Sequence, residues 1–292
     1  MSILAVDIGG TKIATGIVDE TGQVAHRYEV PTVADNADNI VQRAIIACHQ
    51  TLKTCQPANP LGIGISTGGD ADFAQGRIAY ATPLLPGWAG LNLRDIFERE
   101  FNRETRVDND GNCAALAEAT FGAASDFSHA LTIIVGTGIG AGFVVRGQVL
   151  RGAAGGALNP GQIWLDDDTT YERVIASGAL TKRYGQPIQH IAQQLAMQTQ
   201  LPDDLQDAAH HLGKLAATCA AILDPNCIVI AGSILLLGDK FIDVAQQSFQ
   251  RYARPPHQTL ALRPSTLGAN SALVGASLLF RDDVTYPPAK AS

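Results

Sequence analysis

The sequence lacks the features of a membrane protein, a secreted protein and a nucleic-acid-binding protein. No apolar run approaches the roughly 18 residues that a membrane-spanning helix needs. The amino terminus, MSILAVD, does not have the pattern of a signal peptide. The net charge is −7 and the lysines and arginines form no cluster, which argues against nucleic acid and anionic membrane as partners. We therefore expect a cytoplasmic protein.

Cysteines and histidines are few and scattered. The five cysteines include no CxxC pair, and the seven histidines show no spacing typical of metal ligands. An odd number of separated cysteines is typical of reduced thiols that fill a core. In a chain of 292 residues, 46% hydrophobic and 17% charged residues indicate a globular protein of about two domains.

The chain also lacks the GxxxxGK[ST] sequence of strand–loop–helix phosphate sites. It has instead ILAVDIGGTK at 3–12, a buried strand that ends in a tight glycine turn before the apolar run 13–18. Adjacent glycines let backbone N–H groups approach an anion, and Asp7 is placed to hold a hydrated Mg²⁺. The alternative is an ordinary β-hairpin with a glycine turn. The candidate nucleotide-binding residues here are Asp7, Gly9, Gly10, Thr11 and Lys12.

A second copy of this strand–turn–strand pattern begins at residue 131. LTIIV is followed by the glycine turn GTGIG and by AGFVV, which indicates two phosphate-binding turns in one chain. Its candidate residues are Gly136, Thr137 and Gly138. The sequence GTGIGA also fits a relaxed dinucleotide fingerprint, but that motif needs a helix directly after it and an acid about 20 residues later. AGFVV is strand-like and 142–165 contains no Asp or Glu, so we reject that interpretation.

Strands and helices alternate along the rest of the chain, which predicts an α/β fold. The short strand predicted at 105–107 ends on DNDG at 108–111, and acidic groups at a strand end beside a helix are typical of a crevice. Gly178 is expected to stop a short helix. The helices are predicted at 39–54, 91–101, 112–121, 170–178, 205–223, 242–252 and 271–279.

Five stretches together resemble the sugar kinases of the ROK family, within the actin/hexokinase-like ATPase superfamily. They are DIGGTK (7–12), NDGNCAALAE (109–118), GTGIGAG (136–142), IAGSI (230–234) and NSALVGAS (270–277). The resemblance implies two ribonuclease H-like α/β domains with a cleft between them. It also implies ATP and Mg²⁺ as cofactors, with a sugar as the substrate. We expect the domains at 1–112 and 113–292, with the last helix packing back at the hinge.

The resemblance also assigns roles to individual residues. Asp110 matches the general base that takes the proton of a sugar hydroxyl, and Asp108 is expected to be a supporting or surface group. Glu118 is expected to be structural. The sugar ligands implied are Gly68 through its backbone, Asn109 and Glu172, with a solvated helix residue as the alternative for Glu172. Gly232 and Ser233 match the border of the adenosine site.

Several departures from the family pattern fall in the sugar pocket. Asn159 stands where a glutamate is expected, Gln162 stands where a zinc-binding histidine is expected, and the three cysteines of the zinc knot are absent. Since all four metal ligands are missing together, we expect no zinc site. Asn159 can still hydrogen-bond a sugar hydroxyl. Leu84 replaces an asparagine that commonly precedes LPGW.

Three functions follow from these expectations. The first is an ATP-dependent kinase that phosphorylates a hydroxyl, O6 by preference, of a hexose or N-acetylhexosamine. The second is a catalytically inactive homologue that binds sugar or nucleotide, which the changes at Asn159 and Leu84 would permit. The third, a sugar-responsive repressor, is disfavoured because only six residues precede Asp7. The family resemblance also suggests a homodimer.

Overall fold

The computed structural model describes residues 2–55, 59–82, 84–156 and 158–281. The strands are β1 Ser2–Ile8, β2 Lys12–Asp19, β3 Val24–Pro31, β4 Ile63–Thr67, β5 Asp70–Asp72, β6 Arg77–Tyr80, β7 Thr105–Asn109, β8 His129–Val135, β9 Ile139–Val145, β10 Gln148–Val149, β11 Cys227–Ala231 and β12 Leu262–Pro264. The helices are α1 Ala37–Thr54, α2 Leu93–Phe101, α3 Asp110–Phe121, α4 Tyr171–Ile175, α5 Ser177–Tyr184, α6 Ile188–Ala196, α7 Asp203–Leu223, α8 Asp239–Tyr252 and α9 Ser271–Leu278.

The chain divides into two compact units whose border differs from the predicted one at residue 112. The first unit comprises Met1–Phe121, Gly147–Ala157 and Ala269–Ser292, and the second comprises Gly122–Arg146 and Leu158–Gly268. The whole of α3 stays with the first unit because it packs against α9. At that contact a Cβ added to Gly275 would overlap the carbonyl oxygen of Cys113, so the two helix backbones nearly touch.

The first unit is built on a sheet with the strand order β3-β2-β1-β4-β7. β1 pairs with β2 in antiparallel fashion, while β1, β4 and β7 are parallel neighbours. Helices cover both faces, because side chains alternate between the faces of a strand. Ile63 and Ile65 join a core with α1, whereas Gly64, between them, lies against the backbone of α9.

The second unit repeats this pairing pattern. Its strands follow the order β9-β8-β11-β12, again an antiparallel hairpin followed by two parallel strands. The turns differ in length by one residue, since Ile8 pairs with Ile13 across residues 9–12 and Val135 pairs with Ile139 across residues 136–138. The sequence repeat that predicted two similar hairpins is therefore present in the fold. Helices α7 and α8 pack against each other beside this sheet.

The helix predicted at 170–178 is wrong in extent. α4 ends at Ile175, Ala176 is extended, and α5 begins at Ser177, so Gly178 lies inside a helix and does not stop one. The reason for a glycine here is a close approach, because a Cβ at this position would overlap the carbonyl oxygen of Thr137. Helices α5 and α6 and the β5–β6 hairpin are additional elements that the sequence patterns did not predict.

All five cysteines are free thiols and buried, as expected for core residues. Among the described residues, no helix combines the length and the apolar character that crossing a membrane requires.

Candidate active site

The carboxyl ends of three parallel strands bring the predicted residues of the first unit together. In the register of the sheet, Asp7 of β1 lies beside Ser66 of β4, and Thr67 of β4 lies beside Asn109 of β7. Gly68 follows directly, with its N–H donating to the carbonyl of Ile8 at 3.2 Å. Parallel strands end at one edge of a sheet, so residues far apart in the sequence become neighbours there.

Asp7 is a carboxylate in an unfavourable setting. Loss of hydration raises its pKa, and the charge of Asp110 raises it further, to about 6. The hydroxyl of Ser66 donates to Asp7 Oδ1 at 3.1 Å and opposes this rise, as does the charge of Lys12. A carboxylate held this way is stabilised by a nearby cation.

The first glycine turn is closed by backbone hydrogen bonds. The N–H of Gly9 donates to the carbonyl of Lys12 at 3.0 Å, and the hydroxyl of Thr32 donates to the carbonyl of Gly9 at 2.8 Å. Lys12 points to Glu29, with 3.2 Å between its ammonium and the carboxylate. A Cβ added to Gly10 would lie 3.3 Å from the Cβ of Leu84. Leu84, which replaces the asparagine common in the family, therefore lies beside the first glycine turn.

Asn109 caps helix α3. Its side-chain oxygen accepts hydrogen bonds from the N–H groups of Gly111 at 2.8 Å and Asn112 at 3.3 Å. Its side-chain nitrogen donates to the carbonyl of Gly69 at 2.8 Å. The side-chain oxygen of Asn109 is thus occupied by the helix, and its side-chain nitrogen is engaged by the carbonyl of Gly69 and by Asp110. The capping role accompanies the predicted sugar contact and was not anticipated.

Asp110 is the first residue of α3 and is exposed to solvent. Its Oδ1 accepts a hydrogen bond from the N–H of Gly111 at 2.8 Å. Loss of hydration among the surrounding atoms raises its pKa to about 6, the charge of Asp70 adds to the rise, and the hydrogen bonds from Gly111 and Asn109 oppose it. Asp70 is a neighbour that no motif identified, although it directly follows the Gly68-Gly69 turn.

Asp108 is not a surface group, contrary to one of the two roles expected for it. Its side chain is fully buried, and its Oδ2 lies 2.8 Å from Nη2 of Arg151. The physical reason is this ion pair, since a carboxylate can be buried when a cation and hydrogen bonds replace its hydration. Glu118 is also fully buried on α3, which agrees with a structural role.

The side chain of Glu172 lies against the second glycine turn. The N–H of Gly136 donates to the carbonyl of Gly138 at 2.9 Å, and the N–H of Ile139 donates to Glu172 Oε2 at 2.8 Å. Gln162 donates to Glu172 Oε1 at 3.1 Å, and a Cβ on Gly138 would lie 2.7 Å from Oε2. Glu172 is therefore held by the turn, and its contact with a sugar stays a prediction.

The other predicted residues of the second unit lie at the starts of short helices. Asn159 is exposed and precedes the 3-10 helix Pro160–Gln162. Gly232 precedes the 3-10 helix Ser233–Leu237 and has a φ of 94°, a conformation that favours glycine. A Cβ at Gly232 would also overlap the carbonyl oxygen of Val135, so this turn packs directly on the end of β8. Within the described ranges, no cluster of three or more His, Cys, Asp or Glu residues could hold a metal ion.

Comparison with known proteins gives a consistent result. A model described as the ROK family matches residues 3–283. A glucokinase of Halalkalibacterium halodurans is 27% identical over 318 residues, with 95% of this chain and 94% of the relative covered. A crystal structure of a ROK family glucokinase from Streptomyces griseus, in complex with glucose and AMPPNP, is 25% identical with a TM-score of 0.84 and covers 96% of this chain and 99% of that one.

The same fold occurs in a regulator. A ROK family transcriptional regulator, a homologue of the E. coli MLC protein, has a TM-score of 0.80 at 21% identity, with 95% of this chain and 77% of that chain covered. At this identity the likeness concerns the fold alone. The predicted α/β architecture is confirmed as the actin-like ATPase fold of the ROK sugar kinase structures.

Proposed function

The chain belongs to the ROK family and is a sugar kinase, and on that premise we propose that it transfers the γ-phosphoryl group of ATP to a hydroxyl of a hexose or N-acetylhexosamine. The proposed acceptor is O6, and the proposed general base is Asp110. The observation that supports the proposal is the position of Asp110 at the start of α3, directly after β7, with a pKa of about 6 and with a charge that raises the pKa of Asp7.

This position suits the chemistry of phosphoryl transfer. The reaction requires an aligned acceptor hydroxyl, neutralisation of the phosphate charge and one group that accepts the hydroxyl proton. A carboxylate with a pKa of about 6 is ionised at neutral pH and is a stronger base than an ordinary aspartate. The hydrogen bonds that cap the start of α3 fix the backbone at Asp110 relative to the end of β7.

The two glycine turns are the proposed contacts for the phosphates of ATP. The N–H groups of Gly9 and Gly136 close these turns internally, so the backbone N–H groups at 10–12 and at 137–138 would face the phosphates. Gly232 with Ser233 would border the adenosine. Mg²⁺ usually binds proteins through one or two carboxylates together with substrate phosphates, and Asp7 with its raised pKa fits such a role. When bound, Mg²⁺ would neutralise phosphate charge.

The proposed sugar ligands are Gly68, Asn109, Asn159 and Glu172. Gly68 and Asn109 lie at the strand edge of the first unit, and Asn159 and Glu172 belong to the second unit. Asn159 supplies an amide in place of the family's carboxylate. We therefore expect the change at Asn159 to alter which sugar is preferred, whereas Leu84 lies beside the first glycine turn of the proposed nucleotide site.

The test is an ADP-release assay with MgATP and a panel of hexoses and N-acetylhexosamines. Turnover with at least one sugar, together with a phosphorylated product at O6, supports the proposal. If sugars raise the melting temperature and none is phosphorylated, the chain is an inactive sugar-binding homologue. A product phosphorylated at another hydroxyl would overturn the assignment of O6.

The pH dependence of kcat/KM provides a second test. Asp110 must be ionised to accept a proton, and its raised pKa means that ionisation is incomplete below about 6. We expect kcat/KM to be constant above pH 7 and to fall about tenfold per pH unit or more steeply below pH 6, since Asp7 titrates in the same range. A profile that stays flat down to pH 5 would contradict the role of Asp110.

A further inference from the structure

Asp108, which lies two residues before Asp110, forms a buried ion pair with Arg151. Asp108 is fully buried and the side chain of Arg151 is 11% exposed. Arg151 Nε donates to Asp108 Oδ2 at 2.8 Å, and Nη2 lies 2.8 Å from the same oxygen. The guanidinium also lies 3.8 Å above the ring of Phe73. These contacts hold Arg151 in one orientation by charge, hydrogen bonding and stacking.

The other oxygen of Asp108 holds the start of α3. Oδ1 accepts a hydrogen bond from the N–H of Asn109 at 2.8 Å and another from Nδ2 of Asn112 at 2.9 Å. Asn109 in turn caps the helix through Gly111 and Asn112. One carboxylate therefore joins Arg151 on one side to the first turn of the helix on the other.

We propose that Arg151 is a positioning residue for phosphoryl transfer, which acts through Asp108 on the turn that carries Asp110. The inference rests on the proposed function in that Asp110 is taken as the general base. Without the guanidinium, Asp108 would be a buried carboxylate without a counter-charge, and its side chain would turn toward water. That movement alters the two hydrogen bonds at Oδ1 and displaces the first turn of α3.

Three variants separate charge, shape and pairing. Arg151→Met removes the charge at similar volume, and Arg151→Lys keeps the charge without the planar fork. The double variant Arg151→Met with Asp108→Asn removes both charges, and an asparagine oxygen can still accept the two hydrogen bonds. The matched control is Arg106→Met, because Arg106 belongs to the same unit, stacks on Phe280 at 4.7 Å and pairs with Glu104 at 2.7 Å.

The first readout is steady-state kinetics with the sugar found in the panel. Arg151→Met is expected to lower kcat roughly 10- to 100-fold, the cost of a base displaced by about 1 Å. Its KM for ATP should change by less than about twofold, because ground-state binding of the nucleotide is untouched. The double variant should recover most of kcat, Arg151→Lys should be intermediate, and Arg106→Met should keep the wild-type kcat.

The second readout needs no turnover. Amide hydrogen exchange at Asn109, Gly111 and Asn112 is expected to be about tenfold faster in Arg151→Met and unchanged in Arg106→Met. Faster exchange confined to this turn supports the placement of Asp110 by Arg151, even if no sugar is phosphorylated and the kinase proposal fails. The proposal is overturned if Arg151→Met behaves like Arg106→Met in both readouts. It is also overturned if the folded double variant keeps the low kcat of Arg151→Met.

Discussion

Replacing Asp110 with asparagine is expected to lower kcat by about 10²- to 10⁴-fold and, at the same time, to raise the melting temperature. The loss follows from removal of the proton acceptor. Asparagine keeps the side-chain oxygen that accepts the hydrogen bond from the N–H of Gly111, so the helix start is retained. Turnover and thermal unfolding are measured on the same preparation.

The change in melting temperature has a definite dependence on pH. Since the pKa of Asp110 is raised to about 6 in the folded protein, its proton stabilises the fold at low pH, and that stabilisation is lost as the pH rises through 6. The asparagine variant does not lose it, so its advantage should grow between pH 4 and pH 8. Equal melting temperatures of the variant and the wild type at pH 8 would contradict the raised pKa of Asp110. A kcat of the variant within threefold of wild type would contradict its role as the general base.

The second large effect is expected from Gly275→Ala, which should destabilise the protein by about 3 kcal/mol or more. The added methyl group would overlap the carbonyl oxygen of Cys113 on the neighbouring helix. A backbone atom inside a helix cannot move aside as the end of a side chain can, so α9 and α3 must separate. The free energy of unfolding is measured by urea denaturation.

The matched control for this prediction is Gly136→Ala. A Cβ at Gly136 would meet no atom within 4 Å, so the free energy of unfolding should stay within about 0.5 kcal/mol of wild type. Because α3 begins with Asp110, Gly275→Ala should also lower kcat in any fraction that remains folded. An unfolding midpoint for Gly275→Ala equal to that of the control would show that the two helices can separate at little cost.

The sequence predicts correctly those features that depend on residues close together in the chain. Both glycine hairpins follow from apolar runs on either side of a short turn, and the structure has both, with turns at 9–12 and 136–138. Helix α7 follows from apolar residues at helical spacing, and the predicted limits at 205–223 differ from the observed Asp203–Leu223 by two residues. The parallel strand ends at Asp7 and Asn109 also follow from the order of elements.

The features that sequence reasoning missed depend on contacts between distant parts of the chain. The burial of Asp108 requires a cation that comes 43 residues later, and no motif marks Arg151 as its partner. Gly178 is interpretable as a helix stop until its approach to Thr137 is known. Asp70 belongs to no motif, yet its charge acts on Asp110. Each error comes from explaining a residue by its neighbours in the sequence alone.

The raised pKa of Asp7 would make the proposed binding of a cation at this carboxylate a proton-linked event. A cation that binds beside Asp7 favours its ionised form, so the carboxyl group must give up the proton that it holds part of the time at pH 6. If Asp7 holds Mg²⁺ as proposed, MgATP competes with hydrogen ions for this edge of the sheet, and at pH 8 the competition disappears. The affinity for nucleotide would therefore decline as the surroundings acidify, through simple mass action and without any change of fold.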